Sequence, residues 1–327
     1  MSEQRVRLGH TDVHVPRLGL GTAPLGGWPD GTDPAVADDT IQAAWDAGIR
    51  FYDTAPLYGH GLSETWLGQK LSKLPREEFV VTTKVGRLLR SVEPEEPSLF
   101  HGTPPVNPVY DFSYDGVLQS YEESLGRLGL DSVDVAHIHD PDDHYDTAVE
   151  GALRALQELK AAGRIRAIGA GMNQAEMLTR FARTDAFDCF LLAGRYTLLE
   201  QGALDNLLPE CADRGISVIA GGVFNSGVLI DPDQQAYYNY ADAAPEIVER
   251  ARRIGAVCAR HDVPVKAAAL QFPLGHPAVA SVLTGARSPA EVEENVALFN
   301  IPIPADLWHD LKRERLLRED APLPEEI

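Results

Sequence analysis

Phe51-Tyr52-Asp53-Thr54-Ala55-Pro56-Leu57-Tyr58-Gly59 reads as a short apolar strand, an acidic residue at its end and a turn. A helical pattern over 62–71 follows, and then a second strand, Phe79-Val80-Val81-Thr82-Thr83-Lys84. The same strand–turn–helix unit recurs on either side. Strand-like runs lie near 18–21, 49–53, 79–83, 133–138, 165–169, 188–192, 216–220 and 279–284. Helical patterns alternate with them near 34–47, 62–71, 115–128, 148–162, 174–183, 202–214, 244–261 and 289–298. Eight alternations without a linker or a break in composition predict an α/β fold, a closed (β/α)8 TIM barrel, rather than a doubly wound sheet. Residues 1–327 are then expected to form one domain. A hairpin between Arg5 and Arg17 should cap the barrel bottom, and 264–275 and 305–316 read as extra C-terminal helices packed outside.

In such a barrel, side chains at the C-terminal ends of the strands share one mouth. Asp53 and Lys84 each end a strand, and His139 ends the run Val133-Asp134-Val135-Ala136-His137-Ile138-His139. Tyr58 follows Asp53 closely enough for a short loop to return it to the same mouth. A free tyrosine, with a pKa of about 10, is a poor base at neutral pH. A nearby ammonium stabilises the phenolate, and a carboxylate keeps that ammonium charged and in place. Tyr58 is therefore the candidate general acid/base, Lys84 its perturbant, Asp53 the partner of Lys84, and His139 the group that orients a substrate oxygen. Such a set can run proton transfer beside a hydride transfer. His137 lies on the same strand face as His139. A metal site there would need further ligands from other strand ends, so His137 reads as a polar residue one layer below, and no metal is expected.

Two long connections stand out. Residues 86–114 mix Pro94, Pro97, Pro104, Pro105 and Pro108 with Phe100, His101, Tyr110 and Phe112, and residues 221–243 carry Gly221, Gly222, Gly227, Tyr237, Tyr238 and Tyr240. Long aromatic loops in a compact domain read as lids over the mouth. The 29 basic and 49 acidic residues give a net charge of −20, which repels nucleic acid and anionic membranes. Apolar runs are strand-length, the N-terminus lacks a signal pattern, and Cys189, Cys211 and Cys258 are scattered. A cytoplasmic chain with reduced thiols and a small-molecule partner is the expectation, with oligomeric state open.

The text resembles the aldo-keto reductase superfamily over nearly its whole length. The resemblance is carried by Leu18-Gly19-Leu20-Gly21-Thr22, the Phe51–Gly59 stretch, Thr83-Lys84-Val85-Gly86, Leu125-Gly126-Arg127-Leu128-Gly129 and Val133-Asp134 leading to His139-Asp140-Pro141. It continues through Gly163-Arg164-Ile165-Arg166-Ala167-Ile168-Gly169 and Glu293-Glu294-Asn295. The branch it most resembles is that of NAD-linked aldose dehydrogenases. The resemblance implies the same tetrad roles for Asp53, Tyr58, Lys84 and His139.

It also implies a nicotinamide cofactor at the mouth. Gly19-Leu20-Gly21 with Gly26 mimics a dinucleotide-binding turn, but Pro24 and Pro29 interrupt the helix that such a turn requires. Under the family reading Gly21 and Thr22 approach the cofactor, and Asn173 meets the nicotinamide carboxamide. Many relatives carry a Ser-Asn pair where this chain has Gly171-Met172, and commonly a glutamine where it has Ala193. Val223, Phe224, Asn225, Ser226 and Gly227 match the loop that covers the pyrophosphate. At the adenosine end, with Glu294 and Asn295, the family's phosphate-clamping lysine and arginine correspond to Gly285 and Glu291. A carboxylate repels a 2′-phosphate and accepts from ribose hydroxyls, so NAD is expected over NADP, with Arg287 a complication because it could reach a phosphate from the preceding turn.

The resulting expectation is an NAD-dependent dehydrogenase oxidising the anomeric hydroxyl of an aldose of the L-fucose (D-threo-aldose) or L-galactose type to a lactone. The alternatives are a pyridoxal 4-dehydrogenase, whose substrate presents a similar hemiacetal, and a non-catalytic nicotinamide-binding regulatory subunit. Trp28, Tyr110, Phe112 and Arg195 are the residues expected to line the substrate pocket beside Tyr58 and His139.

Overall fold

The computed structural model describes residues 5–28, 30–91, 98–234, 237–238 and 241–324; Pro29, Pro94, Pro97 and Tyr240 lie outside them. Eight strands, β1 (Leu18–Gly21), β2 (Phe51–Asp53), β3 (Val80–Val85), β4 (Val135–His139), β5 (Ala167–Met172), β6 (Cys189–Ala193), β7 (Ser217–Gly221) and β8 (Val279–Gly285), pair in parallel and close into a barrel. Pairing follows chain order, and β8 closes on β1 through Val282↔Leu18 to Gly285↔Gly21. Strands read from sequence near 18–21 and 49–53 fall within a residue or two of those observed. Elsewhere the strands extend one to three residues further toward the mouth, where polar residues and glycines such as Lys84, His139, Gly171, Gly221 and Gly285 interrupt the apolar signal.

Alternation along each strand separates the two halves of the core. Phe51, Val80, Val135, Ala167, Cys189, Ile219 and Leu283 point into the barrel and pack on Leu8, Val13 and Val15. Those three come from the N-terminal hairpin, Arg5–Arg7 paired antiparallel with His14–Pro16, which closes the barrel bottom as expected. Tyr52, Val81, Ala136, Ile138, Ile168, Phe190 and Val218 point outward and join the helices in the larger core. The inward set therefore ends, at the mouth, with Asp53, Lys84 and His139.

The helices are α1 (Pro34–Asp46), α2 (Leu62–Leu71), α3 (Tyr114–Leu128), α4 (Leu153–Ala161), α5 (Ala175–Ala182), α6 (Leu207–Arg214), α7 (Pro245–Arg260), α8 (Val265–Gln271), α9 (Pro289–Phe299) and α10 (Ala305–Arg313). One assignment differs from the sequence reading. Residues 264–275 were expected outside and 244–261 in the ring. Instead Ala267 to Gln271 of α8 are all buried and α8 packs on α9. The longer α7 buries only the stripe Ala251, Ile254, Val257 and Cys258 and packs against α10. Length misled the reading: a strongly amphipathic helix buries one face, whereas the alanine run of α8 is buried throughout. No helix among the described residues is long and apolar enough to cross a membrane.

The connection after β3 begins with its own hairpin, Arg87–Arg90 paired with Asn107–Tyr110. It brings Arg87, Ser98, Leu99, Phe100, Pro108 and Tyr110 to the cavity at the barrel mouth, while the connection after β7 brings Gly222 and Ser226.

Candidate active site

Lys84 is 1% exposed, and its Nζ lies 2.7 Å from Asp53 Oδ2 and 2.9 Å from the Thr54 carbonyl oxygen. Thr82 Oγ1 donates to the other Asp53 oxygen at 2.7 Å. An ion pair this deep persists only because hydrogen bonds satisfy what the pair leaves over, and losing one partner of such a pair costs about 3–5 kcal/mol. Tyr58 follows the turn closed by its N–H donating to the Ala55 carbonyl at 3.1 Å. Gly59, with φ +62, comes next, and a Cβ there would sit 2.4 Å from the Gly26 carbonyl oxygen. Glycine thus lets two loops touch and turns the phenol back over the mouth. The Lys84 ammonium stands 4.6 Å from the Tyr58 ring centroid and hydrogen-bonds the phenol. The Tyr58 and His139 rings meet edge-on, with centroids 5.9 Å apart. All four expected residues line one cavity of about 640 Å3.

The electrostatics of the group are mutually dependent. Burial pulls the Lys84 pKa down, but the attraction of Asp53 and then Tyr58, with their hydrogen bonds, outweighs it and the net shift is upward. By reciprocity, an ammonium favoured by the phenolate favours the phenolate. His139 is held well below the ordinary histidine range by burial first and then by the charges of Arg87 and Lys84, so the imidazole is neutral at physiological pH. His137 lies directly below: it is fully buried, and burial with the Lys84 charge lowers its pKa to about 3. Its Nδ1 occupies the space of a missing side chain, since a Cβ on Gly169 would come within 2.1 Å of it.

Arg87, Asp140 and His60, to which the sequence reading gave no role, also line the cavity. Arg87 Nη2 donates to Asp140 Oδ2 at 2.8 Å, and the guanidinium lies 4.5 Å from the Tyr110 ring centroid. Asp140 immediately follows His139 and adopts φ +43; burial raises its pKa, against the pull of Arg87. The signal was present in His139-Asp140, but a charged residue one step past a strand end is indistinguishable in sequence from a solvated turn. His60, 6% exposed, reaches Ser98 Oγ at 3.0 Å and joins the Tyr58 loop to the long connection.

The expected cofactor and substrate residues divide. Gly21, Asn173, Ser226 and Gly285 line the cavity, as do Trp28 and Tyr110. Thr22 is fully buried one layer away, its hydroxyl donating to the Asp53 carbonyl at 2.9 Å and pairing with Ser63 Oγ at 2.6 Å. Val223 is buried, Phe224 packs on the core, and Asn225 Nδ2 donates to the Gly194 carbonyl at 3.2 Å. Gly227 has φ +97 and bridges to Tyr237. Glu294 pairs with Lys266 at 2.6 Å. Glu291 accepts from the Arg287 N–H at 2.8 Å and from its guanidinium at 3.3 Å, while Ser288 caps the helix. Phe112 is 3% exposed and stacks behind Tyr110, at 5.7 Å between centroids, and Arg195 donates to the Gly194 carbonyl at 3.3 Å. Neither Phe112 nor Arg195 is part of the cavity wall.

The residues fit a nicotinamide dinucleotide. The tetrad occupies β2, the loop after it, β3 and β4, whereas β1, β6, β7 and β8 end in Gly21, Ala193, Gly221 and Gly285 and β5 carries Gly171 next to its last residue, which leaves a slot for a flat ring. Buried Asn295 donates to Thr284 Oγ1 and the Gly285 carbonyl, but its Oδ1 has no partner among the described residues. A buried acceptor left open on a side chain that donates to the cavity-lining Gly285 matches a donor-bearing ligand.

Residues 17–314 match the family described as Aldo/keto reductase family. The chain is 43% identical to D-threo-aldose 1-dehydrogenase of a Pseudomonas species, over 97% of this chain and 99% of that protein. It is 41% identical to pyridoxal 4-dehydrogenase of Microbacterium luteolum, over 97% and 98% of the two chains. Among solved structures, glycerol dehydrogenase of Gluconobacter oxydans superposes with a TM-score of 0.78 at 25% identity, covering 100% of this chain and 98% of that one.

Proposed function

The chain belongs to the aldo/keto reductase family of oxidoreductases, and from that premise we propose that it is an NAD-dependent dehydrogenase that oxidises the anomeric hydroxyl of an aldose, of the D-threo-aldose (L-fucose) or L-galactose type, to the lactone. The observation that carries this reading is the buried Lys84–Asp53 pair at 2.7 Å beneath the Tyr58 phenol. Tyr58 takes the proton of the substrate hydroxyl, Lys84 stabilises the phenolate that does so, and Asp53 with Thr82 holds Lys84. Neutral His139 orients the reacting oxygen. Gly21, Asn173, Ser226 and Gly285, which line the cavity, would hold the nicotinamide dinucleotide, which would supply the hydride acceptor. Glu291, joined to Arg287 at the start of α9, supports NAD, since a 2′-phosphate would have to displace that ion pair beside a carboxylate. The active unit is the whole chain as one domain, and its three free, buried cysteines suit a reducing cytoplasm.

Similarity to a pyridoxal 4-dehydrogenase favours a second reading on the same machinery, because the cyclic hemiacetal of pyridoxal offers the same kind of hydroxyl. Steady-state rates on a panel of aldoses and pyridoxal, each with NAD and with NADP, separate the two. Turnover of an aldose with NAD that falls by two or more orders of magnitude in Tyr58→Phe, with cofactor affinity little changed, is the expected result. Near-wild-type turnover by a folded Tyr58→Phe enzyme would remove Tyr58 from the mechanism. Absence of turnover on the whole panel would leave the regulatory-subunit alternative.

A further inference from the structure

The Arg87–Asp140 pair is a partly buried charge pair at the mouth that the proton-transfer machinery does not use. Its two side chains are 11% and 28% exposed, in that order, and both line the cavity. Asp140 Oδ2 receives the Arg87 Nη2 donor at 2.8 Å and lies 3.4 Å from His139 Nε2. Both contacts fall on Oδ2, and no hydrogen bond among the described residues engages Oδ1. Arg87 is fixed in turn by the Tyr110 ring under its guanidinium, and its main-chain carbonyl is held by Ser120 Oγ at 3.2 Å. A carboxylate held through Oδ2, with its Oδ1 not engaged among the described residues, therefore sits 3.4 Å from the imidazole that orients the reacting oxygen.

That juxtaposition suits a particular substrate feature. A carboxylate accepts and a guanidinium donates, so together they bind a hydroxyl, which does both. The pair is neutral as a unit, which suits an uncharged polyol, and Tyr110 and Trp28 add aromatic surface to the same wall. We propose that Asp140, held by Arg87, is the specificity residue for the hydroxyl on the carbon next to the reacting one, and so selects sugars carrying a hydroxyl at carbon 2. This rests on the aldose reading above. Pyridoxal carries no hydroxyl on the carbon next to its hemiacetal carbon, so the same residue would set the two substrate classes apart.

The test is the ratio of kcat/KM for an aldose to that for its 2-deoxy analogue, measured with NAD on wild type, Asp140→Gly and Asp140→Asn. Glycine and asparagine both tolerate the left-handed backbone at this position. Wild type should favour the hydroxylated sugar by about tenfold or more, the equivalent of one charge-assisted hydrogen bond. The ratio should fall to near one in Asp140→Gly and to an intermediate value in Asp140→Asn. Arg87→Lys, which keeps the charge but loses the planar fork, should reduce the ratio as well. A ratio that persists while both rates fall would mean that Asp140 acts only through His139 or the fold, and overturns the inference, as does a wild-type ratio near one. Failure of the aldose reading itself is visible separately, in wild type that turns over no aldose.

Discussion

His137 should limit how far into acid the folded barrel survives. The ring is fully buried beneath Lys84 and His139, and neither nitrogen makes a well-formed hydrogen bond; the main chain at Ala170 offers only a weak one. In the unfolded chain this histidine titrates near its ordinary value of about 6.5. In the folded state burial and the Lys84 charge bring the value down to about 3. A folded pKa below the unfolded one means that the unfolded state binds the proton first as pH falls. Stability is therefore intact above about pH 6.5 and is lost toward pH 3, at about 1.4 kcal/mol for each pH unit. The full span of about 3.5 units amounts to about 5 kcal/mol, comparable with the whole stability of many domains. His139, also depressed, acts in the same direction. The assay is urea unfolding at a series of pH values between 7.5 and 4.5 for wild type, His137→Leu and His137→Gln. Whatever the replacement costs at pH 7.5, the stability gap between wild type and variant should shift by roughly 1.4 kcal/mol per unit below about pH 6, in favour of the variant. Parallel curves down to pH 4.5 would refute the argument, because they would mean that the ring is charged, or finds water, inside the barrel.

Lys84→Met should slow oxidation most near neutrality and displace the alkaline limb of the pH–rate profile upward, since the phenolate loses its stabilising charge. Lys84 itself, with a folded pKa raised above its unfolded value, keeps its charge and its stabilising contribution at every pH below about 10.5, so that limb belongs to Tyr58. A profile unaltered by the substitution would refute this. Glu291→Arg should move cofactor preference toward NADP by about tenfold or more, read as the ratio of kcat/KM values, whereas Arg287→Ala should leave NAD use nearly intact. An NADP preference in wild type that Arg287→Ala abolishes would reverse the assignment. Adding Gly285→Lys to Glu291→Arg should cost stability without a further gain, because a Cβ there comes within 2.6 Å of Pro24 Cγ, and a clear gain in NADP use would contradict it.

The barrel was legible because its strands alternate inward and outward residues at a fixed period and its helices fill the intervals, so the repetition of one unit sufficed. The tetrad was legible for the same reason: Asp53, Lys84 and His139 are the last inward-facing polar positions of three neighbouring strands, and strand parity carries them to the mouth together. Parity stops at the end of the strand, and so did the reading. Asp140 points into the cavity only because its backbone takes a left-handed turn, and Arg87 only because a hairpin in the long connection folds back over the mouth. Phe112 shows the converse: it has the composition of a pocket residue, but it packs over Gly86, whose absent Cβ would meet its ring at 2.2 Å. Thr22 and Glu294 sit in stretches matched to the family, yet their side chains are engaged by Ser63 and Lys266 within the fold. Sequence order locates what regular structure repeats; the residues proposed to distinguish one hydroxyl from another are held by loops, with long-range contacts such as Arg87 with Asp140. Specificity in this barrel is therefore expected to follow the two loop-borne charges, and chemistry the three strand ends.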